Sequence, residues 1–574
     1  MRELMLGNQA VARGAYEAGV AVATAYPGTP STEITEFIAK YDEIYTEWSP
    51  NEKVALEVAI GASMAGGRAI VSMKHVGLNV AADPLFTVSY TGITGGLVIV
   101  VADDPGMHSS QNEQDSRFYA RAAHIPMLEP ADSQEAKAYI KLAFELSEKY
   151  DTPFIVRLTT RVSHSQSMVE IDKPQPISIK EYEKRPQKNV MMPAMAKARH
   201  IVVEQRMKDI AQDSCRFEIN EIQEGDPKVG IIASGIVYQY AREVFPKASF
   251  LKLGMVHPLP KDLILEFASQ VDKLYVLEEL EPIMEEQIRS WGIQVIGKDL
   301  FSVQGEYTAN MLERAIKGTD IDVRVAEELP NRPPVLCPGC PHRAVFYNLK
   351  KMKIMATGDI GCYTLGALSP LEAIDTCVCM GASIGMAHGF EKARGRNFSK
   401  KMVGVIGDST FIHSGIGGLI DVVYNKGIST ILILDNSITA MTGHQDNPAT
   451  GLTIKGEIAP ALDLVALVKA IGIDNVQVVD PFNLMESEAI LKEETQRDEP
   501  SVIIYKRPCA LLDKRQASPL MINKEKCTSC GLCLRLGCPA IQKQDDAMFI
   551  DDSLCNGCGL CKQVCRFNAM ERVD

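Results

Sequence analysis

The chain has 574 residues, of which 46% are hydrophobic and 23% charged, and its 60 Lys plus Arg against 73 Asp plus Glu give a formal charge of −13. At about 150 residues per domain this length predicts three to four domains and excludes a single small binding module, and the near-average composition excludes long disorder, collagen-like repeats and coiled-coil rods. The acidic balance without a basic cluster argues against nucleic-acid binding.

Residues 1–165 alternate helical patterns with short β-branched runs at 21–24, 69–73, 97–101 and 154–158, which reads as α/β with a largely parallel sheet. Residues 166–220 are charged, contain Pro and Met, and read as a crossover with one helix over 194–210. A second α/β region, 221–326, has predicted strands at 229–233, 250–253, 273–277 and 294–296. The Pro-rich stretch 329–334 leads into a third α/β region, 327–515, with predicted strands at 402–406, 430–434, 476–479 and 502–505. Residues 516–574 differ in kind, being dense in cysteine.

The N-terminus reaches Glu17 without an uninterrupted apolar core, and the longest apolar runs fall far short of the ~20 residues of a membrane helix, so a cytoplasmic protein with no membrane role is expected. A reducing compartment makes the fifteen cysteines poor candidates for structural disulfides and points to metal or redox chemistry.

Cys527-x2-Cys530-x2-Cys533-x4-Cys538-Pro539 repeats, offset by 28 residues, as Cys555-x2-Cys558-x2-Cys561-x3-Cys565. This resembles the bacterial two-cluster ferredoxins, in which the fourth cysteine of each run crosses to the other cluster. The resemblance implies one [4Fe-4S] cluster on Cys527, Cys530, Cys533 and Cys565, and a second on Cys555, Cys558, Cys561 and Cys538. Cys538 comes one residue later than usual, and Arg566 stands where proline is common. Two tetrahedral zinc sites are the alternative.

In the third α/β region, Gly407-Asp408-Ser409 precedes Leu434-Asp435-Asn436-Ser437-Ile438 by a spacing that resembles the thiamine diphosphate motif. The resemblance implies magnesium held by Asp408, Asn436 and the Ile438 carbonyl, with Gly407 and Ser409 beside the cofactor; an ordinary loop is the alternative. Gly415, Gly417 and Gly418 are expected to open the intervening helix, whose free N–H groups favour a phosphate. Tyr26-Pro27-Gly28-Thr29-Pro30-Ser31 is similar to a motif of the 2-oxoacid:ferredoxin oxidoreductases. That likeness implies that Glu52 contacts the aminopyrimidine ring, with Glu57 as its rival, and that Thr29 approaches the substrate. It also implies a third [4Fe-4S] cluster on Cys337, Cys340, Cys362 and Cys509. Cys377 or Cys379 could serve as ligands instead, or the Cys337–Cys340 pair could only shape the pocket. His342 is expected either to contact the diphosphate or substrate or to be a structural imidazole, and Cys215 to be an inert thiol.

The resemblance extends over nearly the whole chain. It implies two thiamine-diphosphate-binding-type parallel-sheet domains (pyrimidine type at 1–165, diphosphate type at 327–515), a transketolase-C-like domain at 221–326, and a 2[4Fe-4S] ferredoxin-like α+β domain at 516–574. Cys337-Pro338-Gly339-Cys340-Pro341-His342-Arg343 and the 102–113 segment resemble the large subunits of the indolepyruvate-oxidising branch. The implied reaction is coenzyme A-dependent oxidative decarboxylation of aryl 2-oxo acids with ferredoxin as electron acceptor. The implied partner is a smaller beta subunit, two of each chain. Lys524, Lys526, Arg535, Lys562 and Arg566 would form a ferredoxin-docking face or a merely solvated one. Pyruvate, branched-chain or phenylglyoxylate-type acids are alternative substrates. A non-oxidative thiamine decarboxylase and an electron-transfer subunit with a degenerate thiamine site are alternative functions.

Overall fold

Leu97–Asp103 is buried at every position, as a strand covered on both faces of a parallel sheet must be. It lies inside a seven-stranded sheet of a computed structural model that describes residues 1–319, 333–513 and 517–572. The chain divides into two units, Met1–Val325 and Ala326–Asp574. The expected boundaries at 326/327 and 515/516, and most of the Pro-rich stretch at 329–334, lie outside the described residues.

In the first unit the sheet runs Met255–His257, Met127–Leu128, Phe154–Thr159, Leu97–Asp103, Ala69–Lys74, Val22–Ala25, Tyr45–Trp48. Only the Met255–His257 edge is antiparallel. One face packs on Gly7–Glu17 and Ser133–Tyr150, the other on Glu52–Met64 and Ala82–Thr91. Gln166–Glu170 pairs with Arg2–Leu6, and Pro193–Ser214 forms the helix expected at 194–210.

A second sheet orders Leu274–Leu277, Asp226–Ala233 and Ala248–Leu253 in parallel, with Asn220–Gln223 as an antiparallel edge. The strand expected at 294–296 is instead a single bridge, Ile296 to Tyr275. Met255–His257 leaves this region to extend the first sheet, and one apolar cluster runs from Leu97 and Ile99 through Val256 to Ile232 and Val276. The two sheets therefore share a core. Buried charge also joins them: Arg117 pairs with Asp115 at 2.6 Å and with Glu278 at 2.5 Å.

In the second unit a fully parallel sheet runs Met355–Thr357, Met402–Gly407, Thr430–Asp435, Ser501–Lys506, Val476–Val479. The cysteine-rich region is α+β: Leu520–Ile522 pairs with Met570–Arg572 and Ile541–Gln544 with Ala547–Ile550, both antiparallel, around short helices at Leu532–Leu536 and Leu560–Val564. Its small core includes seven of its eight cysteines, all but the exposed Cys530, and takes in Ala344 and Leu484 of the parallel-sheet region.

Candidate active site and cluster sites

In open parallel sheets ligands gather at the C-terminal strand ends, and in the first unit these ends carry the predicted residues. Asn51 Oδ1 accepts from Val54 N at 2.9 Å, an N-cap that fixes Glu52 as the first residue of Glu52–Met64. Glu52 is buried, and its carboxylate lies over Gly77, where an added Cβ would stand 2.6 Å from Oε1. Glu57 is on the exposed side of the same helix, ion-paired with Lys53 at 2.5 Å. Thr29 is half-buried, and its carbonyl accepts from Ser109 Oγ at 3.2 Å.

Sequence reading had not singled out Lys74, which closes this cluster. Its ammonium donates to the Ser109 carbonyl at 2.6 Å and its stem packs on Gly28. Burial lowers its pKa to about 8 against the opposing charge of Asp104. Asp104 accepts from Ser109 N at 2.8 Å, Ser110 Oγ at 2.6 Å and Thr160 Oγ1 at 2.7 Å. The signal available in the sequence was position: Lys74 directly follows the strand predicted at 69–73.

In the second unit Asp408 and Asn436 follow adjacent strands, Met402–Gly407 and Thr430–Asp435. The side-chain oxygen of Asn436 faces the Ile438 carbonyl at 2.9 Å and Asp408 Oδ1 at 3.2 Å, so three oxygens converge. Asp408 Oδ2 is buried without a hydrogen-bond partner, and burial, with Asp435 adding to it, pushes the Asp408 carboxyl up to about 7. Rotating the Asn436 amide would turn the contact into two hydrogen bonds but leave Oδ2 unpartnered. A hard divalent cation would use all the oxygens, so the donor set fits magnesium. Ser409 and Asp435, where the motif usually has Gly and Asn, are absorbed locally. Ser409 Oγ accepts from Thr439 Oγ1 at 3.0 Å, and Asp435 Oδ1 accepts from Ser437 N at 3.0 Å.

The expectation that Gly415, Gly417 and Gly418 open a helix is corrected. The helical run begins at Asp408, passes through a π turn at Phe411–Gly415, and continues as Ile416–Tyr424. Gly415 and Gly418 lie mid-run, where a Cβ would press on Ile384 and, at Gly415, on Ile406. They permit close packing of Ala382–Arg394. His342 is buried at the start of His342–Met352, edge-on to Tyr363 with ring centroids 5.8 Å apart, and burial lowers its pKa to about 4.

The fifteen cysteines are all free thiols. Cys538, Cys555, Cys558 and Cys561 line one cavity. This is the crossed set, three cysteines of the second run with the fourth of the first. Leu520 N donates to Cys555 Sγ and Ala569 N to Cys565 Sγ, both at 3.4 Å. Burial raises the Cys533 thiol, and Cys527 and Cys530 raise it further. Burial pushes Cys561 up to about 12, with Cys558, Cys538, Cys555 and Cys533 adding to it, so the two sets adjoin. Among the described residues no group of His, Cys, Asp and Glu is gathered to hold a single metal ion.

The cysteines of the third set lie near one another. Burial pushes Cys340 up to about 12, with Cys362 and Cys337 adding, and Cys362 up to about 11, with Cys509 and Cys337 adding. Cys377 instead feels Asp359 and Cys379. Cys509 N donates to the Asn436 carbonyl at 3.0 Å, which ties this set to the oxygen trio. Asn556 Nδ2 donates to the Pro338 carbonyl at 3.3 Å, which ties it to the Cys555 run. Of the five basic residues considered for docking, all are exposed, and Lys526 is engaged by Glu571 at 2.6 Å.

Family models match three segments: pyruvate flavodoxin/ferredoxin oxidoreductase, thiamine diphosphate-binding, over residues 13–228; thiamine pyrophosphate enzyme, C-terminal TPP binding domain, over 359–505; and a 4Fe-4S binding domain over 548–571. These matches mark the chain as a thiamine diphosphate-dependent oxidoreductase with iron-sulfur clusters. The chain is 43% identical to indolepyruvate oxidoreductase subunit IorA of Archaeoglobus fulgidus, covering 94% of this chain and 92% of that one. It is 42% identical to the subunit of that name from Pyrococcus horikoshii, covering 99% and 97%. The chain belongs to the indolepyruvate oxidoreductase IorA family of 2-oxoacid:ferredoxin oxidoreductases. Among solved structures, a 2-oxoglutarate:ferredoxin oxidoreductase from Magnetococcus marinus, with 2-oxoglutarate, coenzyme A and succinyl-CoA bound, matches at 19% identity and a TM-score of 0.47, covering 55% of this chain and 65% of that one, under two thirds of its length.

Proposed function

We propose that this chain is the thiamine- and cluster-bearing subunit of an enzyme that oxidatively decarboxylates aryl 2-oxo acids such as indolepyruvate. In balanced form, the 2-oxo acid, coenzyme A and two oxidised ferredoxins give the acyl thioester, carbon dioxide, two reduced ferredoxins and a proton. The observation that supports this reading is the hydrogen bond from Cys509 N to the Asn436 carbonyl, which links the third cysteine set to the three converging oxygens.

When bound, thiamine diphosphate supplies the electron sink that lets carbon dioxide leave. Asp408, Asn436 and the Ile438 carbonyl would hold a magnesium ion, with Gly407 and Ser409 beside the diphosphate and His342 as a buried support. Glu52 is assigned to hold the proton exchanged with the aminopyrimidine nitrogen, and Thr29 to orient the substrate. The set Cys337, Cys340, Cys362 and Cys509, the set Cys538, Cys555, Cys558 and Cys561, and the set Cys527, Cys530, Cys533 and Cys565 would each hold a [4Fe-4S] cluster, a group that accepts electrons one at a time. The Pro338–Asn556 contact links the first two sets. The regions 1–165, 221–326, 327–515 and 516–574 act as pyrimidine-type, transketolase-C-like, diphosphate-type and ferredoxin-like domains, with 166–220 as a crossover. A smaller beta subunit completes the enzyme, two of each chain, and ferredoxin is the acceptor. A cytoplasmic setting suits reduced thiols, and among the described residues no helix is long and apolar enough to cross a membrane.

The test is anaerobic methyl viologen reduction by the chain co-expressed with its small partner, comparing indolepyruvate, phenylpyruvate, pyruvate and 2-oxoglutarate with and without coenzyme A. Coenzyme A-dependent reduction by the aryl acids is expected. Reduction by pyruvate or 2-oxoglutarate alone would overturn the substrate class and keep the chemistry.

A further inference from the structure

Arg343 is buried to 2% of its accessible surface, and among the described residues it forms no ion pair. Its guanidinium donates to the carbonyls of Leu536 at 2.7 Å, Leu336 at 2.5 Å and Cys337 at 3.1 Å, while Nε has no partner. Three carbonyl dipoles soften a buried charge but do not cancel it, and a guanidinium cannot shed its proton to escape the cost. Among the described residues no carboxylate supplies a counter-anion.

The surroundings say where it would come from. On one side Arg343 holds the Cys337 carbonyl, in the turn that also carries Cys340. On the other it lines the cavity of Cys538, Cys555, Cys558 and Cys561, and a Cβ on Gly537 would stand 3.2 Å from its Nη1. Thiolate-held [4Fe-4S] clusters are net negative and gain one further negative charge on reduction, and net charge is one of the terms that sets their potential.

We propose that Arg343 is the shared counter-charge of two clusters, those of the Cys337/Cys340/Cys362/Cys509 set and the Cys538/Cys555/Cys558/Cys561 set, and that it raises the reduction potential of both. It is a positioning residue for electrons. Each transfer adds one negative charge beside a fixed positive one, and no bond is made or broken. The inference rests on the cluster reading given above, which the experiment tests separately.

The experiment is a redox titration followed by electron paramagnetic resonance on the anaerobic holo-complex with its small partner, for wild type, Arg343→Met and Arg343→Lys. In Arg343→Met the reduction equilibrium of both clusters is expected to shift tenfold or more toward the oxidised form, a fall of about 59 mV for one electron. Arg343→Lys keeps the charge and is expected to lie nearer wild type. The cluster at Cys527, Cys530, Cys533 and Cys565 should move least, as an internal reference. Unchanged potentials in Arg343→Met with full iron would overturn the proposal, as would an equal shift of all three clusters. Iron loss in both variants would also overturn it, leaving Arg343 as a clamp on carbonyls. If wild type titrates with two clusters only, the reading of the Cys337 set fails, while the Cys538-set potential in Arg343→Met still decides the role of Arg343.

Discussion

Glu52 stands at the first turn of its helix because Asn51 caps it, and its carboxylate is pressed on a glycine that leaves room for nothing else. Glu52→Gln keeps the volume and removes the proton exchange. The expected result is normal thiamine diphosphate and iron content with turnover reduced roughly 10²–10⁴-fold, the usual contribution of positioned acid–base catalysis; retained turnover would move the relay to another residue. That Asp408, Asn436 and Ile438 come together was legible because the motif is local, two strand ends of one sheet. Its two unusual letters, Ser409 and Asp435, are explained only by partners the sequence cannot show, Thr439 for the first and Ser437 for the second. Lys74 was illegible for the same reason, since its surroundings come from the ends of separate strands.

At the scale of elements, apolar β-branched runs located the long strands to within a few residues, because a strand buried on both faces has no polar alternation to confuse it. What eluded the sequence was short or shared. Met255–His257 and Met127–Leu128 are too brief for a periodic signal, yet they join the first two sheets. The glycines at 415 and 418 carry the letters of a phosphate loop but serve helix packing.

The buried charges between these sheets give a pH prediction. Burial pushes Glu279 from its ordinary 4.5 up to about 7, although it accepts a hydrogen bond from Tyr307 N at 2.9 Å. Between those values the unfolded chain has released a proton that the folded one retains, so this group costs stability as pH rises from about 4.5 to about 7, and by a constant amount above. Glu279→Gln keeps the acceptor and removes the charge. Its apparent melting midpoint relative to wild type should widen in its favour across that window and then level off. A constant difference across the same pH range would mean that Glu279 is ionised throughout.

For the whole molecule, the order of sites along the second unit is the central feature: oxygen trio, Cys509 set, Asn556 contact, crossed ferredoxin sets. Local cysteine spacing pointed to the ferredoxin sets, whereas the third, a local pair with two distant cysteines, came from the family resemblance alone. The coupling of thiamine chemistry to these clusters is tested most directly by mixing the anaerobic complex, loaded with thiamine diphosphate and about twelve iron per chain, with indolepyruvate and coenzyme A and no external acceptor, and recording the paramagnetic resonance spectrum. Reduced [4Fe-4S] signals are expected in wild type, and none in Asp408→Ala that keeps its iron but has lost thiamine diphosphate. Clusters that stay oxidised in the fully loaded wild-type complex, or that are reduced equally in Asp408→Ala, would contradict the coupling.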